Sequence, residues 1–176
     1  MGRIDPLIGL GVPTLGRVSL AWAGAYRRMG GPLGSNMVEI PVHNKPIGPA
    51  RNEMMQRAIE SGCSYLFMLA DDVLAPGDAI TRLLQRMWDD PTVHLATGVY
   101  WTKTWPTSPY LWRGMQRGPF LDWKLGEYLE VDYAGCDCLL IRLSDEIKAL
   151  GPEWFSTEWL WEAEQPAPDK LATEDF

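Results

Sequence analysis

Asp71 and Asp72 are the residues whose type and placement point first to chemistry. They follow directly on Tyr65–Ala70, an uncharged run without polar alternation. Such a run reads as a strand buried on both faces. Two adjacent carboxylates at the end of a buried strand repel each other and lose solvation. A bound cation, or donors converging from loops, offsets both costs. In open α/β sheets, ligands bind off the carboxyl ends of the strands, where this pair falls. The competing reading is a solvated acidic turn in which an Asp caps the next helix.

Arg51 and Asn52 come next. The spacing of Met54, Met55, Ala58 and Ile59 predicts a helix over Ala50–Ser61 with Gly62 as its stop. Arg51 and Asn52 then fall in its first turn, where a cation opposes the helix dipole. Arg51 is therefore expected to meet an anion, either a ligand or a protein acid such as Glu53. Aromatic residues gather after position 100: Trp101, Trp105, Trp112, Trp123, Trp154, Trp159 and Trp161. Their flat apolar faces can stack on a ligand, although most Trp side chains fill cores. Trp105, in a proline-bounded loop, is the one singled out. His43 and His94 have no second ligand at metal spacing. Cys63, Cys136 and Cys138 are an odd number, and Cys63 and Cys138 lie in apolar runs. Buried thiols are expected rather than a disulfide framework or a zinc site.

The elements that must position these residues alternate. Leu7–Val12 predicts a strand, Pro13–Arg17 a loop and Ser19–Met29 a helix with Leu20, Ala23, Ala25 and Tyr26 as its stripe. Asn36–Val42 predicts a strand in which Pro41 suggests an edge or a strand end, and 43–49 a loop. The central strand is followed by a helix opened by Pro76–Asp78, with Ile80, Leu83, Leu84, Met87 and Trp88 on one face. Val93–Trp101 predicts a further strand. This order predicts a mostly parallel sheet with helices on both faces. Beyond 102 the pattern changes to short strands at Tyr110–Trp112, Tyr128–Tyr133 and Cys136–Arg142. A short helix capped by Ser144 and an acidic loop from Glu153 to Lys170 complete it.

Composition bounds the rest. A chain of 176 residues with 46% hydrophobic residues and nine Trp predicts one globular domain. A net charge of −7 argues against a scaffold that grips nucleic-acid phosphates. No apolar run approaches the roughly 20 residues that span a bilayer, and the first residues do not read as a signal peptide. A cytoplasmic setting is expected.

Several local features then line up with one family. They are Val12-Pro13-Thr14; Ala50-Arg51-Asn52; Tyr65 to Val73 with Pro76 after it; Gly135 to Ile141; and Thr173-Glu174-Asp175. In order and spacing the chain resembles GT-A-fold glycosyltransferases, close to glycosyltransferase family 2. The resemblance implies an α/β, Rossmann-like, mostly parallel sheet flanked by helices, with a small antiparallel acceptor-side part. Residues 1–176 would form one domain, with 1–101 binding nucleotide-sugar and 102–176 the acceptor. The implied reaction transfers a sugar from a UDP- or GDP-linked donor to an acceptor hydroxyl, with inversion and divalent-metal assistance. Pro13, Thr14 and Arg17 would lie against the nucleotide, and Arg51 and Asn52 against the diphosphate. Ala70-Asp71-Asp72 stands where the family has Asp-x-Asp, so Asp72 with Asp71 would hold Mn²⁺ or Mg²⁺. Glu39 is the nearest acid for the base. Gly135 would border the acceptor pocket with Trp105 and Glu174, and Asp175 would be the general base. A sugar-nucleotide nucleotidyltransferase is the alternative enzyme, although Gly9-Leu10-Gly11 lies inside a strand and lacks the lysine of a phosphate loop. A non-catalytic nucleotide-sugar binder is the third reading.

Overall fold

The computed structural model describes residues 6–114 and 119–156. Its centre is a five-stranded sheet. The strands are β1 (Leu7–Thr14), β2 (Asn36–His43), β3 (Tyr65–Leu69), β4 (Leu95–Thr97) and β7 (Cys138–Arg142), in the order β2-β1-β3-β7-β4. β2, β1 and β3 run parallel, while β7 is antiparallel to both of its neighbours, β3 and β4. The sheet is thus mostly parallel with one reversed strand inside it. β7, from the part of the chain beyond residue 102, inserts between β3 and β4 of the earlier part, so residues 1–101 and 102–176 contribute to one sheet. β5 (Leu111–Trp112) and β6 (Tyr133–Ala134) form a separate antiparallel pair.

Side-chain alternation divides the core. Every residue of β3 is buried. Tyr65, Phe67 and Leu69 point to one face, where they join Trp22 of α1 (Leu20–Tyr26) and Ile80, Leu84 and Met87 of α3 (Ala79–Asp89). Leu66 and Met68 point to the other, against Met54, Met55 and Ala58 of α2 (Ile47–Glu60). Period-two alternation in a strand covered by helices on both sides makes this three-layer arrangement. Gly9 leaves room for Ile40 of β2, and Gly11 for Met54 of α2. A Cβ on Gly9 would lie 2.9 Å from Ile40 Cδ1, and one on Gly11 2.7 Å from Met54 Sδ. The glycines of Gly9-Leu10-Gly11 therefore serve packing.

Four local expectations need correction. α2 begins at Ile47, within the stretch read as a loop. Pro49 falls in its first turn, where the missing N–H has no intrahelical partner to lose. Arg51 and Asn52 accordingly sit in the second turn. On α1, Leu20 and Ala21 are exposed and the buried residues are Trp22 and Ala25. The wide indole takes the core position because its N–H finds a carbonyl there. The Val93–Trp101 strand is only Leu95–Thr97, and of Tyr128–Tyr133 only Tyr133 enters a strand. β4 is an edge strand of the main sheet and β6 belongs to the separate pair, positions where a residue pattern alone does not secure long pairing. α4 (Asp145–Ala149) is capped by Ser144, whose hydroxyl accepts from Ile147 N, as its sequence predicts.

Candidate functional site

The parallel register brings the carboxyl ends of β1, β2 and β3 to one edge of the sheet. Asp71 and Asp72 are the central residues of a turn closed by Val73 N donating to Ala70 O at 3.2 Å. Trp22 Nε1 also donates to Ala70 O, at 2.8 Å. The helix before the site thus holds the turn through the residue that stands where the resembled family carries an acid. Asp72 is exposed and forms an ion pair with Lys103. Thr14 ends β1 at the same edge. Its hydroxyl accepts from Gly16 N at 3.0 Å, and its carbonyl accepts from Asn44 N at 3.0 Å. Pro13 and Thr14 are half-buried here, and Arg17 is exposed in the loop that follows.

Because β7 is reversed, its first residues reach this edge too. Ala70 N donates to Asp137 O at 3.0 Å. The Asp137 carboxylate meets Arg51 Nη2 at 2.7 Å, and the Arg51 side chain is only 1% exposed. Its guanidinium also lies over the Phe155 ring, 5.9 Å from the centroid. The anion that the position of Arg51 called for is therefore a protein carboxylate, and it is not Glu53. Glu53 pairs with Lys45 and with Arg57, and the Lys45 hydrogen bond holds its carboxyl below the usual range. Asn52 uses both ends of its amide on the backbone of Phe155. Nδ2 donates to Phe155 O at 2.8 Å, and Phe155 N donates to Oδ1 at 2.9 Å.

Around this cluster, burial governs the titratable groups. It pushes the Cys138 thiol up to about 11 and raises Cys136 as well. Burial, then the Asp137 charge, raises the Tyr100 hydroxyl. Tyr100 OH accepts from Asp137 N at 3.4 Å. A Cβ on Gly135 would overlap that same tyrosine hydroxyl, so Gly135 is small to admit Tyr100.

Glu39 is not brought to the site. It pairs in register with Leu10, four residues before His43 at the strand end. At about 3.3 Å per residue, that is ~13 Å short of the edge. Its carboxylate instead faces Tyr26, whose hydroxyl is pushed up to about 12 by burial and by Glu39. Trp105 is 91% exposed in the loop that carries Lys103. Glu174 and Asp175 lie outside the described residues, as do Trp159 and Trp161. Trp22, Lys103 and Asp137 are the side chains that sequence reading passed over. The Cys-Asp-Cys run before a buried strand was the available signal for Asp137, because an acid between two apolar-environment thiols needs a partner.

A divalent ion is tested against these donors. Among the described residues, no group of three or more His, Cys, Asp or Glu is placed to hold a metal. Asp71 and Asp72 supply hard oxygen ligands, but Asp72 already carries an ammonium. Among the described residues, Asp71 and Asp72 are thus the hard donors at this edge, and Asp72 is paired with Lys103.

Comparisons with known proteins bear on the fold. No protein-family model matches the chain, and no characterised protein matches it in sequence. The fold is similar to that of A197 from STIV. That crystal structure aligns with a TM-score of 0.55 at 17% identity, covering 77% of this chain and 64% of A197. The chain thus spans under two thirds of the length of that neighbour, and at this identity the likeness is one of fold. No described helix is long and apolar enough to cross a membrane.

Proposed function

We propose that this chain is a GT-A-type glycosyltransferase that binds a nucleoside-diphosphate sugar at the carboxyl edge of its sheet. One observation carries the reading: the end of β1, the Asp71–Asp72 turn after β3 and the start of α2 converge at one edge, the place where open α/β sheets take their ligands. Pro13 and Thr14 would line the nucleotide, with Arg17 at the rim. Arg51, held by Asp137, would shape the wall of the diphosphate pocket from behind rather than grip the phosphates. Asn52 would fasten the segment at Phe155 to that wall.

In the proposed reaction, an acceptor hydroxyl oxygen bonds to the anomeric carbon of the donor sugar. The bond from that carbon to the diphosphate oxygen breaks, and its electron pair leaves with the nucleoside diphosphate. The hydroxyl proton passes to a carboxylate, a transfer that contributes about 10²–10⁴-fold when the base is positioned. Asp175, in the resembled Thr-Glu-Asp motif, is the proposed base, and Trp105, Gly135 and Glu174 belong to the acceptor side.

The test is a thermal-shift panel of UDP, GDP and their sugars against ATP and free sugars. Ligands that bind only the folded state raise the melting temperature by mass action. A shift with UDP or GDP and their sugars, absent with free sugars, supports the reading. No shift with any nucleoside diphosphate or its sugars overturns it. Donor hydrolysis that is unchanged in Asp175→Asn removes Asp175 as the base and leaves the binding reading intact.

A further inference from the structure

We propose that Lys103 is the cationic group that receives the donor's diphosphate, in the place where the resembled family uses a divalent ion. The inference rests on the nucleotide-sugar reading above. Lys103 and Asp72 are 31 residues apart in sequence, yet their side chains form an ion pair at the end of the central strand. The loop that carries Lys103 is built. Thr102 N donates to Ser108 O at 2.8 Å, and Ser108 N to Thr102 Oγ1 at 3.0 Å. Trp101 bridges Pro109 at its base, and Tyr110 N donates to Tyr100 O at 3.0 Å. Tyr100 in turn receives Asp137 N. The loop is therefore rooted in the buried Arg51–Asp137 cluster and delivers one ammonium to the Asp71–Asp72 turn.

The chemistry suits a phosphate. The two side chains are 74% and 45% exposed, so water and salt weaken their attraction and the pair is free to rearrange. An ammonium is a compact point charge with three N–H donors. One donor can stay on Asp72 while another meets a phosphate oxygen, so that Lys103 bridges carboxylate and diphosphate. Charge-assisted bonds to phosphate are the stronger kind. In this arrangement Asp72 positions Lys103, and a divalent ion would have to displace the ammonium to reach the same carboxylate.

The experiment is calorimetric titration of the full chain with UDP and with GDP, in EDTA and in Mn²⁺. It compares the parent chain with Lys103→Ala and Lys103→Arg, each checked for its parent melting temperature. The expected result is nucleoside-diphosphate binding that survives EDTA. Affinity falls at least tenfold in Lys103→Ala and stays within about threefold in Lys103→Arg. Binding that requires Mn²⁺, or binding in EDTA that is indifferent to Lys103→Ala, overturns the role of Lys103 while leaving the nucleotide-sugar reading standing. Failure of both nucleotides to bind the parent chain in either condition overturns the nucleotide-sugar reading itself, and this inference with it.

Discussion

Two ion pairs stand at the same edge of the sheet, and they are built for different work. Arg51 and Asp137 are 1% and 13% exposed, with an aromatic ring against the guanidinium. Lys103 and Asp72 are 74% and 45% exposed. A buried charge that loses its partner cannot return to water, so the first pair locks the strand end, α2 and the Phe155 segment together. An exposed pair forfeits little when it opens, so the second can exchange its partner for a ligand. The residue whose position most suggested anion binding, Arg51, is committed to the scaffold. The residue with no sequence signal, Lys103, is the exposed cation at the acidic turn, where the proposed diphosphate would arrive.

The largest effect expected from breaking this contrast is at Asp137. Asp137→Ala strands the Arg51 charge and should lower stability by about 3–5 kcal/mol in chemical denaturation. The double variant Arg51→Met/Asp137→Leu should recover most of that loss, because apolar replacement of a buried pair is often neutral. A double variant as unstable as Asp137→Ala alone would show that the pair does more than neutralise itself. Gly135→Ala drives a methyl into Tyr100 and should cost about 1–3 kcal/mol, as overpacking does. Unchanged stability with weakened acceptor binding would instead return Gly135 to the acceptor side. Asn52→Ala abandons two backbone groups of Phe155 and should cost about 1–2 kcal/mol. Hydrogen exchange should show faster amide exchange at Phe155 in that variant, and equal rates would sink the anchoring role. Smallest is Lys103→Ala, expected within ~1 kcal/mol of the parent chain by thermal melting. A loss as large as that of Asp137→Ala would erase the distinction between the two pairs.

Much of the fold is legible in the residues. The unbroken apolar run Tyr65–Leu69 is a strand covered on both sides, and Ile80, Leu83, Leu84 and Met87 trace the buried face of α3. Pro41 marks β2, which is indeed the edge strand. These features are legible because burial imposes a period on consecutive residues, and a period can be read along a chain. The place of the Asp71–Asp72 turn follows for the same reason, since it ends the most buried strand.

Other features were decided only in three dimensions. The reversal of β7 between β3 and β4 has no local signature, because an apolar strand reads alike in either direction. That reversal brings Asp137 to Arg51, while the register of β2 on β1 leaves Glu39 facing Tyr26 well below the edge. Trp22 reaches Ala70 O across 48 residues, and Lys103 reaches Asp72 across 31. By itself the sequence determined the layers, the central strand and the acidic turn at its end, since each depends on the residue types of one continuous segment. The tertiary structure decided which charged pairs are buried and which are exposed, since burial and partner choice belong to pairs of distant residues and to the surface that covers them.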